Sequence, residues 1–190
     1  GMELAKRYDA KLMEEQLHHF WQAKAVYQFD AASEAPVYAI DTPPPTVSGR
    51  LHMGHVFSYT HPDFMARFWR MNGYNVYYPM GFDDNGLPTE RLVERLLGKS
   101  AADLGRVAFT AECLRLSESM EAEYRTLWDR LALSLDWRYT YRSIEARSRR
   151  ISQWSFLDLY RQGLAYRQQA PTIWCPECRT AIAQAEVDDL

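Results

Sequence analysis

The chain has 190 residues, 47% of them hydrophobic, and a formal net charge of −3 at pH 7. This length and apolar content suit one globular domain with appendages, and no apolar run approaches the ~18 residues that a membrane-spanning helix needs. The small negative charge argues against retention on nucleic acid by bulk electrostatics, although it leaves room for a local RNA contact. Three cysteines are too few for a secreted disulfide framework, and no charged-then-apolar leader precedes Tyr8. We therefore expect a cytoplasmic protein with reduced thiols and no membrane partner.

The first elements predicted along the chain are an amphipathic helix and a strand–loop–helix unit. Residues 3–25 place apolar side chains among many charges, which is typical of a helix packed on a larger body. Residues 37–40 predict a short buried strand, and the three prolines at 43–45 end it because proline lacks an N–H and fixes φ at about −65°. Helical spacing returns after Gly49 and stops at Asn72-Gly73. The apolar positions near one face of that helix are Val56, Tyr59, Phe64, Phe68 and Met71.

The start of this helix carries the sequence His52-Met-Gly-His55. The unpaired N–H groups of a helix's first turn carry a partial positive charge and can hold a phosphate. His52 and His55 are three residues apart and face the same way, while Gly54 leaves the backbone open to a ligand. The pattern is consistent with a nucleotide site, and equally with an ordinary surface loop or a chance metal pair.

Residues 75–80 predict a second strand, parallel to the first because a helical crossover joins the two. The strand runs into Gly81-Phe-Asp-Asp-Asn-Gly86, so that Asp83 and Asp84 follow the carboxyl end, where open α/β sheets bind ligands. Backbone capping in a solvated turn is the competing interpretation of two adjacent aspartates. Their predicted position opposite the histidines favours one crevice formed by both segments.

The later segments predict three helices and a few short strands. The helices cover residues 88–97, about 111–133 and about 145–162, with residues 99–104 as a surface link. The middle helix carries a core-facing stripe of Leu114, Met120, Tyr124, Leu127, Trp128 and Leu131. In the last helix, four arginines favour a solvated face over a contact with nucleic-acid phosphates. Cys175-Pro-Glu-Cys178 supplies two of the four ligands of a zinc site, and a redox pair is the other interpretation.

Four blocks of the sequence resemble one family. Pro45-Thr-Val-Ser-Gly-Arg-Leu-His-Met-Gly-His55 is similar to the HIGH signature of class I aminoacyl-tRNA synthetases, with Met53 in place of isoleucine. Residues 41–49, 73–91 and 174–187 resemble the corresponding blocks of the valine-specific members. The resemblance extends over nearly the whole chain.

This resemblance implies an α/β fold: the first half of a Rossmann-like parallel sheet with flanking helices, and a small C-terminal β/CxxC element. It implies an N-terminal helical arm at residues 1–34 and a nucleotide-binding half-domain with a helical insertion at residues 35–165. Residues 166–190 would begin a connective, zinc-ribbon-like segment. Cys175 and Cys178 would be a metal half-site that cysteines farther along complete with Zn²⁺ in the full-length protein.

The implied reaction is the activation of valine by ATP with Mg²⁺, followed by transfer to tRNA. The implied ATP site consists of Gly49, His52, Gly54 and His55, with the two histidines as catalytic donors to phosphate. Pro44 and Pro45 would help to wall the valine pocket, and Asp83 would hold the ammonium group of valine. Asp84 stands where many members have histidine and receives no role.

Nothing in the 190 residues resembles the family's second signature, KMSKS, and the chain stops about where an editing insertion should begin. We therefore expect this chain by itself to be inactive. Two other functions stay open at this stage. One is a free-standing, catalytically silent paralogue that binds a nucleotide or a partner, and the other is a small zinc-linked interaction protein with a vestigial histidine loop.

Overall fold

A computed structural model describes residues 7–47, 51–177, 179–184 and 187. The chain divides into two compact units, residues 1–149 and 150–190. Two of the predicted site residues, Gly49 and Cys178, lie outside the described residues. No helix in the described ranges is both long enough and apolar enough to cross a membrane.

The first unit begins with the helix α1 (Ala10–Ala23), where a helical arm is predicted. Asp9 caps this helix, since its carboxylate accepts a hydrogen bond from the backbone N–H of Leu12 at 3.1 Å. The helix therefore begins just after Asp9.

A strand, a helix and a second strand follow as predicted: β1 (Val37–Ala39), α2 (Met53–Met71) and β2 (Asn75–Tyr77). The two strands pair in parallel, with Tyr38 opposite Val76, which confirms the predicted crossover. A further strand, β3 (Gly81–Phe82), pairs in parallel with β4 (Tyr141–Arg142), which the sequence did not predict.

Two other segments of the chain form hydrogen bonds with the turn after β3, one on each side. The carbonyl of Asp83 accepts a hydrogen bond from Val47, in the loop after β1, and the carbonyl of Phe82 accepts one from Ser143, just after β4, both at 2.9 Å. Successive carbonyl groups of an extended chain point to opposite sides. The loop after β1 and the end of β4 therefore flank this turn.

The remaining helices of the first unit are α3 (Leu87–Leu97), α4 (Ala101–Leu104) and α5 (Arg106–Arg130). The helix α3 ends at Gly98, in left-handed conformation, as predicted. The prediction of a surface link over residues 99–104 is wrong, because Ser100 and Asp103 form a capping box that starts α4. The helix α5 starts earlier than predicted, at Arg106.

Two clusters of buried residues form the core of the first unit. The larger one contains Tyr59, Ala66, Val76, Tyr78, Met80, Trp128, Leu133 and Leu135. The smaller one contains Val47, Phe82, Met120 and Tyr124, and lies next to the turn after β3. The predicted stripe of α5 is thus largely confirmed, whereas Leu114 at its start is exposed.

The face of α2 that is buried differs from its most apolar face. Phe64, Phe68 and Met71 are exposed, while Asp63 is only 4% exposed. The carboxylate of Asp63 accepts hydrogen bonds from the backbone N–H of Ser134 at 2.7 Å and from Nε of Arg67 at 2.8 Å. A buried carboxylate needs such partners, so the polar side of α2 faces the loop that follows α5.

The helix α6 (Ala146–Arg161) crosses into the second unit, which ends in an antiparallel hairpin of β5 (Trp174–Cys175) and β6 (Thr180–Ala181). The predicted short strands near the CxxC sequence are confirmed. Cys175 lies in β5, but because Cys178 is not described, the CxxC pair remains a prediction.

We predict that Asp63→Ala lowers the free energy of unfolding by about 3–5 kcal/mol, because it leaves Arg67 and the Ser134 N–H without their acceptor. Urea unfolding followed by circular dichroism measures this. The control, Glu112→Ala, breaks an exposed pair with Arg115 on α5 and should cost less than about 1 kcal/mol. Equal losses in the two variants would contradict the role given to Asp63.

Candidate functional site

The two predicted histidines form the cap of α2. His52 is the N-cap residue, and its Nδ1 accepts a hydrogen bond from the N–H of Gly54 at 3.1 Å. In the reciprocal hydrogen bond, Nδ1 of His55 accepts from the backbone N–H of His52 at 3.3 Å. The ring centroids are 4.2 Å apart. The structure therefore brings the two imidazoles together at the positive end of a 19-residue helix.

These hydrogen bonds define which ring nitrogens can donate to a ligand. Because both Nδ1 atoms accept from the backbone, a neutral ring of either histidine carries its proton on Nε2. Burial, and next the neighbouring His52, lower the pKa of His55 from its ordinary value of 6.5, so its ring is mostly neutral at pH 7. Each Nε2–H is then a donor that the cap leaves unused.

Gly54 is required by the ring of His52. A Cβ placed on Gly54 would lie 2.8 Å from Cε1 of that ring, closer than real side chains approach. Without a side chain at position 54, the imidazole can fold back over the first turn of α2. The glycine therefore serves the cap itself, a role that the sequence pattern did not reveal.

A cleft of about 650 Å³ opens beside this cap. Of the predicted site residues, it is lined by Pro45, His52, Gly54 and His55, but not by Pro44 or Asp83. Its other lining residues are Asp41, Thr42, Pro43, Ser58, Tyr59 and Pro62. The hydroxyl of Tyr59 holds one wall by donating to the carbonyl of Pro43 at 2.6 Å.

Asp83 is tied to the proline loop by its backbone. Its N–H donates to the carbonyl of Pro45 at 2.9 Å. Its Oδ1 is 3.2 Å from both the backbone N–H of Asn85 and the hydroxyl of Ser143. Among the described residues, Oδ2 of Asp83 has no hydrogen-bond partner, and the residue is only half-buried. That oxygen can accept from a cationic ligand.

Asp84 points into the protein, and its side chain is fully buried. Arg142 is its nearest cation, with Nε 3.9 Å from Oδ2, and neither oxygen of Asp84 makes a hydrogen bond of normal geometry. Burial, and next the carboxylate of Glu121, raise the pKa of Asp84 to about 7, against the opposing effect of Arg142. Arg142 gives its best hydrogen bond to Glu121, at 2.7 Å. Asp84 thus cannot meet a ligand from solvent.

Three residues of this region were missed by the sequence analysis: Tyr141, Arg142 and Ser143. The pairing of β4 with β3 brings them to the turn, about 60 residues away along the chain. The ring of Tyr141 lies against Gly81, where an added Cβ would be 2.2 Å from Cζ. Burial, then the charges of Asp41 and of Asp83, raise the pKa of Tyr141. A short extended stretch between two helices was the only signal for this strand.

The described residues contain no group of three or more histidine, cysteine or acidic side chains that could hold a metal ion. The predicted half-site at Cys175 and Cys178 therefore stays a prediction.

A capped helix terminus and an aspartate turn, placed beyond the ends of parallel strands, are typical of α/β proteins, which bind their ligands at such positions. The family model described as tRNA synthetases class I (I, L, M and V) matches residues 16–189. The chain belongs to this family and has its α/β catalytic fold, with short parallel strand pairs and helices.

The chain is similar to valine–tRNA ligases. It is 49% identical over 188 residues to that of Rickettsia akari (strain Hartford), and 46% identical over 186 residues to that of Wolbachia sp. subsp. Brugia malayi (strain TRS). These matches cover 98% of this chain but only 23% and 22% of the relatives.

A solved structure is also similar to this chain. It is the ternary complex of Agrobacterium radiobacter K84 agnB2 LeuRS, tRNA and LeuAMS, with a TM-score of 0.78 and 27% identity. The match covers 96% of this chain and 22% of that one.

We predict that Asp84 makes stability fall as pH rises. Its folded-state pKa of about 7 exceeds the ordinary 3.8, so between these values the folded state holds a proton that the unfolded state has lost. The free energy of unfolding should therefore decrease from about pH 4 to pH 7 relative to Asp84→Asn, and the difference should be constant above that. Urea unfolding of both proteins from pH 4 to 8 measures this. A difference that is flat with pH would contradict the burial of an unsatisfied Asp84.

Proposed function

We propose that this chain forms the valine- and ATP-binding part of a valine–tRNA ligase. The observation that carries the proposal is the contrast between two groups near the proline loop: two histidine donors cap α2 beside a cleft that Pro45 also lines, and Asp83, whose backbone pairs with Pro45, offers a carboxylate oxygen. The histidine donors suit a phosphate and the carboxylate suits an ammonium group. The similarity to valine–tRNA ligases supports valine as the amino acid.

In the proposed first step, a carboxylate oxygen of valine attacks the α-phosphorus of ATP. A new P–O bond forms, the bond to the bridging oxygen breaks, and pyrophosphate leaves with the electron pair. No protein nucleophile is required, so the chain's task is alignment and stabilisation of charge on the phosphate. Magnesium bound to the triphosphate would supply further neutralisation. The valyl group then passes to a hydroxyl of tRNA, and AMP leaves.

The histidines are proposed to act on the nucleotide. Each Nε2–H is directed away from its own cap bond, because Nδ1 is used by the backbone. Neutral rings that donate from Nε2 can follow the charge that develops on phosphate oxygens without themselves changing protonation. Gly49 and Gly54 are proposed to complete this ATP site.

Asp83 is proposed to hold the ammonium group of valine through Oδ2. Its Oδ1 is already fixed by Asn85 and Ser143, so the free oxygen has a defined direction. Asp84 is excluded from this role by burial. Pro45 lines the cleft beside the cap and, with Pro44, is proposed to wall the valine side chain.

The other parts of the proposal rest on the resemblance to the family. They are the domain boundaries after residues 34 and 165, and a zinc site that includes Cys175 and Cys178. Since no KMSKS-like sequence supplies a second clamp, the 190 residues alone are proposed to be inactive. A catalytically silent paralogue is the alternative, and the similarity to valine–tRNA ligases over 98% of the chain does not favour it.

We predict that His52→Ser with His55→Gln weakens ATP binding at least tenfold. Serine at the N-cap with glutamine three residues later preserves a capping box, so the thermal midpoint should change little. Both imidazole donors to phosphate are nevertheless lost, at about 1.5–3 kcal/mol each. Isothermal titration with ATP and Mg²⁺ measures the affinity.

Two other variants separate binding from capping. His61→Gln, on an exposed part of α2 outside the cleft, should leave ATP affinity unchanged. His52→Ala with His55→Ala should lower stability as well, by about 1 kcal/mol for the N-cap. Undiminished ATP binding in the capped double variant would place the nucleotide elsewhere.

We predict that Asp83→Asn weakens binding of a non-hydrolysable valyl-adenylate analogue about ten- to a hundredfold. The variant loses a charge-assisted hydrogen bond to the ammonium, on the order of 1.5–3 kcal/mol. An analogue without the amino group should bind the variant and the parent equally. Asp84→Asn is the matched control and should leave both affinities unchanged. Equal losses for the two analogues would refute the assignment of Asp83.

A further inference from the structure

Ser143, one residue beyond β4, contacts both aspartates of the turn after β3. Its backbone N–H donates to the carbonyl of Phe82 at 2.9 Å, which continues the parallel ladder and places the residue beside the turn. Its Oγ accepts from the N–H of Asp84 at 2.9 Å and lies 3.2 Å from Oδ1 of Asp83. The backbone N–H of Asp84 can only donate, and the carboxylate of Asp83 can only accept. The hydroxyl of Ser143 must therefore accept from the first and donate to the second. The single hydroxyl proton is therefore directed to Asp83.

This proton fixes the orientation of the Asp83 carboxylate. Oδ1 accepts from two groups, the hydroxyl of Ser143 and the N–H of Asn85, and Oδ2 is left with no partner among the described residues. A carboxylate that is already oriented does not have to lose rotamer freedom when a ligand arrives. We propose that Ser143 is a positioning residue, which presents Oδ2 of Asp83 to the amino group of the substrate. This inference rests on the proposed function of Asp83.

The opposite side of β4 shows why Ser143 is held in place. Side chains alternate along a strand, so Arg142 lies on the other side from Tyr141 and Ser143. There its Nε donates to Glu121 of α5 at 2.7 Å, and its Nη1 is 3.8 Å from Glu118. The helix α5 thus anchors β4 through Arg142.

Tyr141 anchors the same strand on the side of Ser143. Its ring lies against Gly81, the residue that pairs with it across the two strands. A shift of β4 toward or away from the turn would break the ladder and lift this ring from the glycine. The contacts of Tyr141 and Arg142 therefore fix the position of Ser143 relative to the turn.

The test is the ratio of two affinities, for the valyl-adenylate analogue and for the analogue without the amino group. A change in the whole crevice would alter the affinities for both ligands by the same factor, so it would leave their ratio unchanged. Ser143→Ala should lower the ratio about two- to tenfold, as expected for one hydrogen bond, and Ser143→Thr should restore it. Ser148→Ala is the matched control, because Ser148 contacts Glu145 and not the turn. In Asp83→Asn, adding Ser143→Ala should lower the ratio no further, since Ser143 acts through Asp83.

A measurement without ligand keeps the two proposals separate. The ¹³Cγ resonance of Asp83 should move in Ser143→Ala, return toward its original position in Ser143→Thr, and stay unchanged in Ser148→Ala. An unmoved resonance, an unchanged ratio in Ser143→Ala, or an additive loss in the double variant would overturn the role of Ser143. If Asp83→Asn itself leaves the ratio unchanged, the proposed function of Asp83 fails, and with it the positioning role, whatever the resonance shows.

Discussion

Two backbone hydrogen bonds join the proline loop to the aspartate turn, and the site depends on them. The N–H of Asp83 donates to the carbonyl of Pro45, and the N–H of Val47 donates to the carbonyl of Asp83, each at 2.9 Å. Proline has a carbonyl that accepts a hydrogen bond but no N–H that donates one. In this pairing Pro45 therefore accepts, and the loop's donor is the N–H of Val47. The loop after β1 is thereby tied to the turn that carries Asp83.

The same pairing explains why two adjacent aspartates have opposite properties. In an extended chain, consecutive side chains point to opposite sides, so Asp83 and Asp84 point apart, and Asp84 is the one that faces the core. Asp83 keeps one oxygen open, whereas Asp84 is enclosed with Glu121 and Arg142. Its burial costs stability when it is ionised, because Arg142 gives its short hydrogen bond to Glu121. The turn therefore contains one carboxylate with an open oxygen, that of Asp83, and one that is buried in the protein, that of Asp84.

The parts of the fold that the sequence predicted are those with local causes. Proline, glycine and apolar periodicity predicted β1, α2 and β2, and their parallel pairing followed from the crossover. The strand β4 has only two residues and hence no periodicity, so its pairing with β3 could not be predicted. The buried face of α2 was also beyond prediction, because Asp63 is buried against Ser134, about 70 residues away along the chain. For the site, the sequence predicted His52, His55 and Asp83 as candidates, whereas Ser143 and Arg142 became candidates only through the long-range pairing of β4 with β3.

The central claim is that Asp83, rather than a neighbouring carboxylate, receives the substrate's amino group. A crystal structure of the chain with a non-hydrolysable valyl-adenylate analogue tests it most directly. The account predicts that the amino nitrogen lies within about 3.2 Å of Oδ2 of Asp83, while Oδ1 keeps its hydrogen bonds to Ser143 and Asn85. An amino nitrogen bound instead to Asp41, at the cleft beside the cap, or to Asp84 would contradict the claim.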